Sequence, residues 1–117
     1  MIEPELTVSD NPVSPCIEID KMHIKAIAHE YWAAKEKHPK FCDEVIPPGF
    51  DFDGEEKRWK KWNDEAEKHY ATDIFNEEFF EALNAYQQGD KEHALQELAQ
   101  CGAVILRIME TITKEME

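Results

Sequence analysis

TDIFNEEFFEALNAYQQGDKEHALQELAQCGAVILRIMETIT, residues 72–113, holds two helical patterns joined by one short turn. In the first, Phe75, Phe79, Ala82, Leu83 and Tyr86 recur at helical spacing, one apolar stripe of an amphipathic helix. Thr72 is placed to cap it, and Gly89 to stop it. In the second, Asp90 caps a helix from Lys91 to about Lys114. Its stripe is Ala94, Leu95, Leu98, Cys101, Ile105, Ile108, Met109 and Ile112, with Val104 and Leu106 on other sides. A helix apolar nearly all round is covered on several faces. One short chain has few helices to do that, so a second subunit is expected. The turn Gln88-Gly89-Asp90 is short enough to make the two helices antiparallel neighbours.

The same stretch carries two acidic pairs. Glu78 and Glu81 stand one turn apart, as do Glu97 and Gln100, so each pair projects from one helix face. Glu78 and Glu97 sit on the flanks of apolar stripes. A carboxylate beside a core is costly without a partner. A hard divalent cation held by oxygens is such a partner, and Mg²⁺ suits a site that shares its shell with water and phosphates. Bound there, it would polarise a phosphate and activate water.

Outward from this stretch the chain reads as helix and loop. Asp20 to His38 carries the stripe Ile24, Ile27, Ala28, Tyr31 and Trp32, ended by Pro39, with Lys35 and Lys37 at its C-terminal end. Residues 39–54 form a loop around Pro47-Pro48-Gly49, with Phe41, Phe50 and Phe52 as anchors and Asp51 and Asp53 as candidate caps, or else as residues near a site. Glu55 to Tyr70 makes a further helix, with Trp59, Trp62 and Ala66 facing inward and a basic run of Lys57, Arg58, Lys60 and Lys61. Residues 1–19, with Pro4, Pro12 and Pro15, read as an extended arm ahead of one domain over 20–117. The expected fold is all-α, an antiparallel bundle of about four helices completed by oligomerisation.

Composition narrows the function. The 117 residues carry a formal net charge of −13, which disfavours a nucleic acid polymer as partner, since phosphate contact needs a basic face. It leaves open divalent cations, or an acidic protein that imitates DNA. Cys16, Cys42 and Cys101 are too widely spaced for a paired motif and read as reduced thiols of a cytoplasmic protein. No stretch reads as a signal peptide or a membrane span. His29-Glu30 begins an H-E-x-x-H motif, but position 33 is Ala, so the zinc motif fails. The histidines, His93 among them, read as surface or half-buried side chains.

E-F-F-E at Glu78–Glu81, the Gly-Asp turn, E-L-A-Q at Glu97–Gln100 and the apolar run after it together resemble the all-alpha nucleoside triphosphate pyrophosphatases, in particular the small MazG-like proteins of phages and prophages. EYWAAKEKHPKF is looser but similar to the family's first helix. The resemblance implies Mg²⁺-dependent hydrolysis of a nucleoside triphosphate, a dNTP foremost, to monophosphate and pyrophosphate, with Mn²⁺ as a substitute ion. It implies Glu78, Glu81 and Glu97 as catalytic metal ligands, and a homodimer or tetramer. It points to Trp32 for the base, since the family's first helix lines the base pocket. Lys35, Lys37, Arg58 and Lys61 are then candidates for the phosphates. The family pattern has aspartate where this chain has Gln100. An amide oxygen can ligate a cation but adds no charge, so a MazG-like binding protein with little or no turnover stands as the alternative.

Overall fold

The computed structural model describes residues 21–117. These form four helices, α1 (Lys21–Lys37), α2 (Phe52–Glu65), α3 (Ala71–Gln87) and α4 (Lys91–Glu115), and no strand. The expected all-α class holds. The arm, Cys16 and the Asp20 cap lie outside the described residues. The chain divides into two units after Asp43. In the first, α1 sets Lys35 Nζ 4.9 Å from the Tyr31 ring centroid, and Phe41 is 94% exposed, so it is not the anchor its apolar character predicts.

In the second unit α3 is central, packing against α2 on one side and α4 on the other. The core is built from small residues: Ala82, Ala85, Ala94 and Cys101 are buried, with Phe52 the one large side chain among them. Small side chains let the helix backbones approach closely. An aromatic chain runs beside them, Phe50 to Phe52 to Phe80 to Phe79 to Phe75, with centroid separations of 4.5–6.3 Å.

The corner between α3 and α4 is closed by backbone and side chain together. Gly89 takes φ +89°. Its N–H donates to Tyr86 O, and Asp90 N–H donates back to Ala85 O at 2.9 Å, the paired bonds of a glycine C-cap. Asp90 then caps α4, its Oδ1 accepting from His93 N–H at 3.1 Å. One residue thus ends one helix and starts the next.

The α2 boundaries differ from expectation at both ends. Asp51, whose Oδ1 accepts from Gly54 N–H at 2.9 Å, is the cap, and the helix starts at Phe52 because that turn buries the Phe52 ring. Asp53 lies inside the helix, paired with Lys57. At the other end Ala66 turns extended, and Tyr70, not Thr72, is the N-cap of α3, without a side-chain bond. The face that α2 turns inward is Phe52, Glu56, Trp59 and Asn63. Trp62 is 59% exposed, a correction to its reading as inward. Polar contacts fasten this face to α3. Buried Asn84 donates to Asp53 and Glu56. Asn63 donates to Asp73 O and to Glu77 Oε1 at 3.0 Å, so Glu77, expected to be solvated, is engaged. Gln87 reaches Phe50 O.

The fourth helix has two apolar faces. Ala94, Glu97 and Cys101 are buried, while Leu95, Leu98, Ile105 and Ile112 are exposed. No helix among the described residues is long and apolar enough to cross a membrane.

Two glycine substitutions are predicted to act with opposite sign. Gly89→Ala forces a Cβ into left-handed backbone and should cost about 1–2 kcal/mol. Gly102 is helical, and a Cβ there meets nothing within 4 Å, so Gly102→Ala should stabilise by roughly 0.5–1 kcal/mol. Urea denaturation of both variants measures the difference.

Candidate metal centre

The α3–α4 hairpin brings acidic side chains together along its inner face. Glu81 projects from the middle of α3, and His93 and Glu97 from the first two turns of α4. Their ligand atoms all lie within 4.8 Å of one another. His93 Nε2 is 3.2 Å from Glu97 Oε1 and 3.8 Å from Glu81 Oε1. Lys60 reaches over from α2, its Nζ 4.0 Å from the same Glu81 oxygen. This group can hold a metal ion through one nitrogen and two carboxylates.

Glu97 is the most confined member, only 7% exposed. Its Oε1 faces His93 and accepts from Gln100 Nε2 at 3.5 Å. Its Oε2 and Glu78 Oε2 are buried, with no hydrogen-bond donor other than a proton the two carboxyls share. Glu78 stands beside Glu97. Burial first, then the adjoining Glu97 carboxyl, then Glu81 and Glu77, push Glu78 up to about 7. Burial also raises Glu81, with Glu97 and Glu56 adding to the effect and Lys60 and His93 opposing it. The Cys101 thiol is raised by burial and by the same two glutamates, Glu78 and Glu97. Crowded acids short of cationic or hydrogen-bonding partners hold protons more tightly. A divalent ion would relieve the same crowding, so the donor set fits one.

The positions marked by the sequence fall into three places. Glu78, Glu81, Glu97 and Gln100 share the α3–α4 face, with the Gln100 amide turned toward Glu97. Arg58 and Lys61 line an open pocket of about 570 Å³ with Trp59, Trp62, Glu65 and Asp73. In it Arg58 lies over the Trp59 ring, whose Nε1 is buried without a partner, while Trp62 Nε1 donates to Asp73 at 3.1 Å. Trp32, Lys35 and Lys37 are on α1, in the other unit. Two residues of the centre were not singled out by sequence. His93, read as a surface or half-buried side chain, is half-buried and stands between two carboxylates, a placement the sequence reading did not foresee. The signal for it is H-A-L-Q-E, which sets His93 and Glu97 at i and i+4. Lys60 is the second, and nothing in the basic run of α2 distinguishes it from its neighbours.

No family model, curated protein or solved structure matches the chain.

The raised Glu78 carboxyl predicts a stability that depends on pH. Its folded value, about 7, lies above the ordinary 4.5, so the native state binds this proton more tightly than the unfolded chain. The stabilisation is full below 4.5 and is lost as pH rises through 7. In EDTA, the melting temperature should fall between pH 5 and pH 8, and Glu78→Gln should remove much of that slope. Thermal unfolding across this range, read for both proteins, is the check.

Proposed function

We propose that this chain is a divalent-metal-dependent nucleoside triphosphate pyrophosphohydrolase of the MazG-like kind, releasing pyrophosphate from a nucleotide, foremost a dNTP. The observation that carries the reading is the convergence of Glu81, His93 and Glu97 ligand atoms within 4.8 Å, with Glu78 crowded against buried Glu97 on the same α3–α4 face. Buried carboxylates crowded in this way are costly without a cation to complete them. Glu78, Glu81 and Glu97 would hold the ion, with Gln100 supporting Glu97 or adding its amide oxygen. The ion, Mg²⁺ or Mn²⁺, would supply charge for the phosphates and lower the pKa of a bound water.

The chain's own groups divide the remaining work. Water attacks the α-phosphorus, the bond to the bridging oxygen of the β-phosphate breaks, and pyrophosphate leaves. The proton that the water loses passes to a carboxylate oxygen of this face that is not on the ion. Lys60, Arg58 and Lys61 offset charge on the phosphates, and the Trp59–Trp62 pocket of α2 offers faces on which a base can stack. The exposed stripe Leu95, Leu98, Ile105 and Ile112 supports a homo-oligomer, most simply a two-fold dimer.

One observation favours a second reading. Gln100 brings an amide where a fourth carboxylate would complete the acidic set, which fits a MazG-like protein that binds nucleotide or metal with little turnover.

Pyrophosphate release from a panel of ribo- and deoxynucleoside triphosphates with Mg²⁺ separates the two. The hydrolase reading expects release by the native protein, more by Gln100→Asp, and none by Glu78→Gln. No release by the native protein or by Gln100→Asp, both folded, gives the lead to the binding reading. For the assembly, light scattering should show twice the chain mass, and Leu98→Glu should shift it toward monomer. A monomer across micromolar concentrations contradicts the dimer.

A further inference from the structure

His93 changes what kind of ion this centre prefers. An all-oxygen set serves Mg²⁺, but an imidazole beside two carboxylates is a mixed nitrogen–oxygen set, and imidazole nitrogen favours first-row transition ions. The ring is held for that role. Its Nε2 points inward, 3.2 Å from Glu97 Oε1 and 3.8 Å from Glu81 Oε1. Its other nitrogen, Nδ1, is turned toward Asp90 Oδ2 at 4.0 Å, while Asp90 Oδ1 accepts from the His93 backbone N–H. A carboxylate behind the far nitrogen orients a metal-binding histidine when the two are hydrogen-bonded. Here the α4 cap places one at 4.0 Å, an electrostatic contact that a small ring rotation on metal binding would close. On the inner side of the same group, Glu97 is only 7% exposed and its carboxyl is crowded by that of Glu78, so a cation there would relieve a buried acidic pair.

We propose that His93 is a metal ligand that tunes this centre toward a first-row transition dication over Mg²⁺, with Asp90 positioning its ring. The proposal rests on the cation-site reading above and not on turnover. A histidine that served only as a counter-cation to Glu81 and Glu97 would oppose an incoming ion, so its removal would leave Mn²⁺ affinity unchanged or improved. As a ligand, its removal weakens Mn²⁺ and spares Mg²⁺.

Calorimetric titration of the full chain with Mn²⁺, Co²⁺ and Mg²⁺, together with pulsed EPR of the Mn²⁺ form, tests this. The native protein should bind Mn²⁺ more tightly than Mg²⁺ and Co²⁺ more tightly still, following the usual order of these ions. The EPR should show coupling to an imidazole nitrogen. His93→Gln should lose that coupling and about tenfold or more in Mn²⁺ affinity, the scale on which even outer partners of metal ligands act, with Mg²⁺ affinity changed less than about twofold. Asp90→Asn keeps a capping side chain and should weaken Mn²⁺ to a lesser degree. Equal affinity for Mn²⁺ and Mg²⁺ with no nitrogen coupling overturns the role of His93. If Glu97→Gln still lowers binding in that case, the cation site itself stands. No binding of any of the three ions by the folded native protein overturns both.

Discussion

The Gly89-Asp90 corner is the constraint on which the rest of this unit depends. Glycine allows the left-handed step that satisfies the last carbonyls of α3, and the Asp90 side chain satisfies the free His93 N–H in the first turn of α4. Because both ends are closed within two residues, the register between the helices is set locally. That register brings Glu81 of α3 opposite His93 and Glu97 of α4, and Glu78 beside Glu97. The corner also contributes directly to the centre, since the side chain that caps α4 is the one behind the His93 ring.

What the corner brings together is electrostatically unfavourable. Three glutamates crowd a face lined by small apolar residues, and Glu78 and Glu97 are left to face each other there. Lys60 and His93 offset part of this from the rim, yet Glu78 and Glu81 remain raised. A fold concerned only with stability would replace such a cluster with apolar side chains of similar volume, often at no loss. The arrangement makes sense where a cation completes it. The high net charge of the chain is therefore not merely a solvated surface, because part of it is turned inward.

Much of this was legible in sequence, and the exceptions have identifiable causes. The α3–α4 hairpin could be read because Gly89 and Asp90 act on their nearest neighbours, and i, i+3 spacing alone puts Glu78 with Glu81 and Glu97 with Gln100. The start of α2 was misplaced because Asp51 and Asp53 are equally good caps in isolation. The choice between them was made by burial of the Phe52 ring against Phe80, a tertiary contact. Trp62 was assigned inward for its size, but α2 turns the Phe52, Glu56, Trp59 and Asn63 face to α3, with polar bonds that composition does not announce. His93 escaped notice for a related reason. Its spacing to Glu97 is visible, but its third neighbour, Glu81, lies across the hairpin, and only the fold brings that carboxylate within reach.

The central claim is that the α3–α4 carboxylates hold a cation. Anomalous diffraction from crystals of the native protein grown with Mn²⁺ tests it most directly. The account predicts one strong peak between α3 and α4, about 2.0–2.3 Å from oxygens of Glu81 and Glu97, with Glu78 turned to the same ion. A peak confined to exposed acids elsewhere, or none while Glu78 and Glu97 remain in contact with each other, would contradict it.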